Sequence, residues 1–466
     1  MFEIFKKYYS KTKKYICSRV LSVLYFFRFL FLLSYITNTD LTSLSYNKLN
    51  KLKGKILSNG MVSLKFMQWY ISKLENEDSE KYKEVVKEFE SIFDNCPYHS
   101  VEKTKEIFRN DFGDEMNNYL EILDEIGSGS IGQVYKAKMI DGKEVAFKVK
   151  HPEIETQKRG QFALINLIVF LQKIKFIKNR MNLHFDIEDF MDSLKLQLDF
   201  SNESFNCMKF SKNFKDNQLV IIPKLYYYSN NIVIQSYEKG DEFENLSSHH
   251  KQKMVLNIYA FLCQMIMVDN FIHGDFHKKN WNVKMNNNSF PSLIVYDFGL
   301  CFETDCIEHN RELWRTFENN KVDNTWYFIK ILIKGDLKDS YEIEVKEHID
   351  NLFERPFNIN DLLEKLILFL NDRNLMINKC TLNVILLATL IEKLLLDANI
   401  IEKGIDYNNE TIRTDKVQSR RADILTLCRT TKTYPELEKY IKKEFESFNV
   451  TSLFNTDNSE LIFDPI

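Results

Sequence analysis

The segment His273–Asn280 reads HGDFHKKN, and the triplet Asp297, Phe298, Gly299 follows it closely. A carboxylate, an amide five residues on and a second carboxylate can take a proton from a hydroxyl and hold Mg²⁺ against nucleotide phosphates. The chemistry in prospect is phosphoryl transfer. Asp275 is the candidate base that orients and deprotonates an acceptor hydroxyl. Asn280 is a neutral oxygen ligand and Asp297 the principal carboxylate ligand, because Mg²⁺ is held by one or two carboxylates plus phosphate oxygens. His273 is expected to lock the loop through hydrogen bonds in the core, and His277 either to touch the γ-phosphate or to shape the loop.

Such groups need a phosphate-binding element upstream, and Gly127–Val134, GSGSIGQV, fits the pattern G-x-G-x-x-G-x-V. Backbone at Gly127, Ser128, Gly129, Ser130, Gly132 and Val134 could then approach phosphates with few side chains in the way. A dinucleotide-binding loop would require the glycines to open a helix, whereas YKAKMI continues as a strand. A glycine-rich hairpin without ligand is the other reading of the motif taken alone. VAFKVK supplies Lys148 on the next strand at the V-A-I-K spacing, where an ammonium contacts the α- and β-phosphates. The alternation of Val145, Phe147 and Val149 makes that strand half-buried, and Lys150 could be a solvated strand lysine. A buried lysine needs a carboxylate. The candidate is Glu203 in LQLDFSNESFNCMKF, with Asp199 one turn earlier on the same helix face; the alternative leaves Glu203 as an exposed helix charge. The ordered set of glycine loop, strand lysine, helix glutamate, HxDxxxxN and DFG is far more specific than any member and implies a kinase-like fold.

Periodicity shows the elements that must hold these residues. Apolar positions at three and four spacing in MVSLKFMQWYISKL and YKEVVKEFESIF predict helices, with a break at Cys96 and Pro97 before VEKTKEIFRNDF. ILDEIGSGSIGQVYKAKMIDGKEVAFKVK alternates instead, carries the Asp141–Gly142 turn pair and predicts three antiparallel strands. A helical stretch from Ile154 to about Asn213 and a strand pair, QLVIIPKLYYYS and NNIVIQSY, come next. The remainder is mostly helical, with short strands at Trp281–Val283 and Leu293–Tyr296 around a turn at Asn286–Asn288. The expected fold class is α+β, a bilobal protein-kinase-like fold with an N-terminal helical extension. Its parts are a basic, aromatic leader (1–40), the helical extension (41–118), an N-lobe (119–240), a C-lobe (241–446) and a polar tail (447–466).

With 466 residues and 44% hydrophobic content the chain can bury the cores of two or three domain-sized units. A net charge of −3 shows no global basic bias, so nucleic acid is not an expected partner. The eight cysteines include no C-x-x-C pair, which argues against a zinc site and a disulfide framework. Cys301 and Cys306 read as reduced thiols of an intracellular protein. In the leader, Lys6, Lys7, Lys11, Lys13, Lys14 and Arg19 precede the apolar run Val20–Ile36, which Arg28 interrupts. That pattern suits a transit peptide, a signal anchor, an interfacial helix or a helix packed on the protein; Arg28 and the short run argue against a full span.

Through SIGQVYKAKMIDGKEVAFKVKHP, QLDFSNESFN and HGDFHKKN with DFG, the sequence resembles the UbiB/AarF-like (ABC1-type) atypical kinases, the coenzyme-Q-associated family, from about Leu41 to about Gly335. The resemblance implies ATP and Mg²⁺ as cofactors and phosphoryl transfer or ATP hydrolysis linked to lipid or quinone metabolism. A membrane surface, a lipid or isoprenoid, and protein partners are implied with it. It also implies a leader motif, K-x-G-Q, folded over the active site, which Lys65, Phe66, Met67 and Gln68 match with Met67 in place of glycine. The family's E-x-D motif is Gln197, Leu198, Asp199 here, so Lys65 lacks the glutamate its counterparts pair with, although lysine and glutamine can share a hydrogen bond. Where the family's nucleotide loop is alanine-rich, this chain has Gly127, Ser128, Gly129 and Ser130. Three departures in one regulatory apparatus imply that part of the restraint is lost while nucleotide and metal binding are kept. An ordinary serine/threonine protein kinase would carry H-R-D and A-P-E, which are missing, yet the glycine-containing loop keeps that activity as an alternative. Small-molecule kinases of the aminoglycoside or choline type resemble HGDFHKKN but lack the SIGQV loop and the leader motif. A nucleotide-binding pseudokinase scaffold is the non-enzymatic alternative.

Overall fold

The computed structural model describes residues 23–36, 38–77, 81–92, 96, 98–152, 154, 187–215, 217, 219–285, 291–304, 306–310, 312–313, 330–334, 339–353, 365–366, 369–370, 373, 375 and 377–398. The basic start of the leader, Pro97, most of the helical stretch at 155–186, the turn at Asn286–Asn288 and the chain from 399 through the tail lie outside these. Two compact units are present: Met1–Phe205 with Lys224–Tyr237, and Asn206–Pro223 with Glu238–Ile466.

The first unit opens with helical residues 23–36 (α1), then α2 (Tyr46–Ser58), α3 (Met61–Glu77), α4 (Lys83–Phe89) and α5 (Val101–Phe112). Phe26, Phe29, Leu33 and Ile36 of α1 recur at helical spacing and enter one core with Leu52, Ile56, Phe66 and Phe89. The opposite face of α1 is also apolar but exposed: Leu24, Phe27, Phe31 and Tyr35, with Phe27 62% and Phe31 65% accessible. Among the described residues no helix is long and apolar enough to cross a membrane. α5 stops at Gly113, whose φ of 75° lets its N–H return to the Arg109 carbonyl at 2.9 Å.

The expected three-strand meander is present as β1 (Leu120–Ser128), β2 (Gly132–Met139) and β3 (Glu144–Lys150). β4 (Val220–Ile221) belongs to the second unit; β5 (Leu225–Tyr228) and β6 (Ile232–Ser236) complete an antiparallel sheet of order β1-β2-β3-β6-β5. Gly142, at φ 87°, turns β2 into β3, and the Asp141 carboxylate accepts from the Lys143 N–H. Val145, Phe147 and Val149 are wholly buried and pack with Tyr135, Ile232, Ile234 and Phe108 of α5. The helix expected to carry both Asp199 and Glu203 is broken. α6 (Ile187–Gln197) ends before Asp199, and α7 (Phe200–Asn213) starts after it. Asp199 caps the new helix, accepting from the Ser201 N–H at 3.0 Å, so it does not share a helix face with Glu203.

QLVIIPKLYYYS, of which only the part up to Pro223 belongs to the second unit, again departs from expectation, because it is not one strand. β4 pairs in parallel with β9 (Pro291–Val295), and Pro223, which has no N–H to offer a ladder, separates it from β5. β9 also pairs with β8 (Trp281–Met285), while β7 (Ile272–His273) pairs with β10 (Cys301–Phe302). α8 (Ser248–Cys263), α9 (Asp339–Phe353) and α10 (Lys379–Asp397) are the long helices among the described residues here. Phe210 of α7 and Phe214, just past its end, join the core of this unit with Phe261, Phe271, Phe276 and Phe298.

Candidate active site

In the first unit the glycine-rich loop is the tight end of the β1–β2 hairpin, closed by the Gly129 N–H on the Gly132 carbonyl at 3.0 Å. Its glycines are not equivalent. A Cβ on Gly132 would lie 2.6 Å from the Val149 carbonyl oxygen and 3.2 Å from Phe200 Cζ, whereas one on Gly127 would meet nothing within 4 Å. Ser128, Ser130 and Ile131 are buried, Ile131 within the core of the leader helices, and Val134 faces Lys148 in the ladder. The helical extension touches the loop directly. Ser130 Oγ donates to Gln68 Oε1 at 3.3 Å, Gln68 Nε2 donates to the Ile92 carbonyl, and the Cys96 N–H donates to the Ser128 carbonyl at 2.7 Å. The glutamine of the leader motif therefore engages the loop. Lys65 is half-buried and among the described residues has no hydrogen bond to Gln197, and Met67 is wholly buried in the leader core.

Lys148 Nζ donates to both carboxylate oxygens of Glu203 at 2.8 Å, and the Glu203 side chain is only 5% accessible, so Glu203 is not an exposed helix charge. Lys150 is buried too, contrary to its reading as a solvated lysine. The Phe200 ring, at the start of α7, lies 5.1 Å from the Lys148 ammonium and 5.3 Å from that of Lys150, covering this end of β3 and offering its π face to both cations.

In the second unit His273 is fully buried and donates from Nε2 to the Tyr296 carbonyl at 3.1 Å, while its Nδ1 accepts from the Asp275 N–H. Burial, the largest influence, lowers its pKa, so the ring is neutral and serves as the lock expected of it. Asn280 Nδ2 donates to the Asp275 carbonyl at 2.7 Å; a carbonyl can only accept, so the amide orientation is fixed and Oδ1 is the atom left for a cation. The Tyr296 N–H donates to the Asn280 carbonyl, which ties that loop to the residue preceding Asp297. Asp297 holds φ 52°, a left-handed conformation that Asp tolerates better than most side chains, and its Oδ1 accepts from the Gly299 N–H. Asn206 Nδ2 donates to the Phe298 carbonyl at 2.8 Å, and Phe298 is buried against Phe210 and His273. His277 caps its own turn, with Nδ1 accepting from the Lys279 N–H and Nε2 3.7 Å from Asp275 Oδ1.

The donor chemistry suits Mg²⁺ held with a nucleotide. Asn280 and Asp297 are hard oxygen donors, and among the described residues no group of three or more His, Cys, Asp or Glu forms an all-protein cage. Several supporting residues escaped the sequence reading. Asn206 lies one turn beyond Glu203 on α7, a signal available from helical spacing. His99 and His151, 2.9 Å apart through their Nδ1 atoms, are distant in sequence and have no local pattern.

The fold and these two residue sets define an α+β kinase-like protein with an N-terminal helical extension. The chain belongs to the ABC1 atypical kinase-like domain family, whose model matches residues 91–323, half of the chain. It is 32% identical over 220 residues to the "Probable serine/threonine-protein kinase abkC" of Dictyostelium discoideum, covering 45% of this chain and 32% of that protein. It is 28% identical over 205 residues to "AarF domain-containing protein kinase 1" of Xenopus laevis (42% and 39%) and 27% identical over 269 residues to "AarF domain-containing kinase 1" of Drosophila melanogaster (55% and 51%). The matches thus span about a third to a half of the length of these curated relatives. A solved structure described as "The complex structure of Rv3197-erythromycin from Mycobacterium tuberculosis" aligns over 64% of this chain and 83% of its own, with TM-score 0.43 and 18% identity.

Proposed function

We propose that this chain binds ATP with Mg²⁺ and transfers or hydrolyses the terminal phosphoryl group, with a lipid- or quinone-related hydroxyl as the acceptor class. The observation that carries the reading is the Lys148–Glu203 pair. Burying a carboxylate at 5% accessibility costs desolvation energy, which the bidentate ammonium offsets. This is the strand-lysine and helix-glutamate pair that kinase chemistry requires in place. In this reading Lys148 binds the α- and β-phosphates, and the Ser130 and Ile131 amides of the hairpin tip approach the phosphate oxygens. Asn280 Oδ1 and Asp297 hold the metal, which when bound neutralises charge on the phosphates. Asp275, with a side chain 34% accessible, orients the acceptor hydroxyl and takes its proton.

The lipid side of the proposal rests on α1. Its exposed Leu24, Phe27, Phe31 and Tyr35 would bed into a bilayer interface, and residues 1–40 hold seven basic side chains against Glu3 and Asp40, a charge suited to anionic headgroups.

The deciding experiment is ATP and Mg²⁺ turnover by the full chain against Asp297→Asn, with nucleotide binding measured in parallel. The variant is expected to lose Mg²⁺-dependent nucleotide binding and turnover. Equal turnover by both proteins would sink the enzymatic reading.

A further inference from the structure

A buried chain of hydrogen bonds joins α5, β2 and the residue after β3 to the nucleotide loop. Gln133 Nε2 donates to Tyr135 Oη; Tyr135 Oη lies 2.9 Å from Thr104 Oγ1; Thr104 Oγ1 lies 3.0 Å from His99 Nε2. His99 Nδ1 lies 2.9 Å from His151 Nδ1, and His151 Nε2 reaches the Gly129 carbonyl at 3.1 Å, with Ser128 Oγ at 3.4 Å. Gln133, Tyr135 and Thr104 are wholly buried.

Both ends of this chain have fixed polarity. At one end, the Gln133 amide cannot flip, because its Oε1 accepts the His99 N–H at 2.8 Å and its Nε2 donates to the His99 carbonyl at 3.1 Å. At the other, the Gly129 carbonyl can only accept. His151 must therefore carry its proton on Nε2, and in the neutral ring Nδ1 is then an acceptor. His99 must donate from Nδ1 and accept on Nε2 from the Thr104 hydroxyl, which accepts in turn from the Tyr135 hydroxyl, which accepts from Gln133. Every donor finds one acceptor. The reverse order would leave the Tyr135 hydroxyl proton facing another donor inside the core. Burial first, then His151 and Lys103, lower the His99 pKa to about 4, and burial raises that of the Tyr135 phenol, with Glu125 and Glu102 adding to it. Both groups keep the protonation the chain requires.

We propose that His151 is a positioning residue for the nucleotide loop: its Nε2–H holds the Gly129 carbonyl, and the chain from Gln133 through Tyr135, Thr104 and His99 dictates the tautomer that does so. The consequence concerns phosphate. A carbonyl drawn toward His151 is withdrawn from the oxygens of an anion, while the amides of Ser130 and Ile131 make no backbone hydrogen bond among the described residues. The role rests on the nucleotide-binding reading above, so the test has one arm that needs no nucleotide.

That arm is imidazole ¹⁵N NMR on the full chain at pH 7. The expected result is His151 as the Nε2–H tautomer and His99 as the Nδ1–H tautomer; the opposite pair overturns the proposal whatever the protein binds. The second arm measures MgATP affinity in two folded variants. His151→Gln keeps a nitrogen donor near the Nε2 position and should bind within about twofold of wild type. His151→Asn keeps only the Nδ1 position and should bind about five- to tenfold more weakly, the loss of roughly one hydrogen bond. Thr104→Val, which cuts the chain without touching the loop, should also weaken binding and shift the His99 tautomer. Equal affinity for His151→Gln and His151→Asn overturns the positioning role alone, and a wild-type protein that binds no MgATP overturns both it and the nucleotide reading.

Discussion

Glu203 sets the cost of disturbing its partner. Lys148→Ala leaves a carboxylate of 5% accessibility without its bidentate ammonium, and the expected loss is about 3 kcal/mol, read as a lower thermal midpoint together with weaker ATP binding. An unchanged midpoint would count against the pair as a buried contact. Acid sensitivity follows from other single residues. His99 and His273 titrate near 6.5 when unfolded but are held lower when folded, chiefly by burial, so their contribution is whole above about 6.5 and is lost as pH falls, for His99 toward about 4. Asp269 works the other way. Burial pushes its pKa from 3.8 up to about 6, so the folded state takes that proton first and gains stability as pH falls through 6. Urea midpoints between pH 7.5 and 5.0 should therefore drop more steeply in Asp269→Asn than in wild type; parallel profiles would show that Asp269 titrates normally.

At the scale of elements, the glycine-rich hairpin separates the glycine that packing requires from the one it does not. Gly132→Ala forces a Cβ against the Val149 carbonyl and should cost about 1–3 kcal/mol, whereas Gly127→Ala, with open space around it, should leave the thermal midpoint nearly unchanged. Equal effects of the two would refute that distinction. The same scale shows what the sequence could reveal. The strands β1, β2 and β3 were legible because alternation and the Asp141–Gly142 turn are local, and so were the Lys148–Glu203 pair and the His273 lock, whose residue types allow few partners. The break between α6 and α7 was missed because apolar positions continue through Leu198 and Phe200, while Asp199, read as a face residue, is a cap. β4 was misread because Val220 and Ile221 resemble any apolar strand, and only pairing with distant Leu293 and Ile294 assigns them to another sheet. The burial of Lys150 was likewise set from a distance, by Phe200.

For the whole molecule, charge is unevenly shared: a chain of net −3 has a basic first forty residues, so the remainder is more acidic than the total suggests. Vesicles with anionic headgroups should capture the full chain, vesicles of neutral lipid much less, and raising salt from about 50 to about 500 mM should release most of it as screening shortens to a few ångströms. Capture that ignores both headgroup charge and salt would contradict an electrostatic contribution from the leader. The chain path has a further consequence, for synthesis on the ribosome. Met1–Phe205 and Lys224–Tyr237 form one unit, yet between them the chain lays down Asn206–Pro223, which belongs to the other. Val220 and Ile221 must then wait for Leu293 and Ile294, roughly 70 residues later, before their strand has a neighbour. At translation rates of about 5–20 residues per second that wait is roughly 4 to 15 s. The five-stranded sheet can close during it, while an apolar segment of the other unit still lacks its neighbouring strand and is open to chaperone binding.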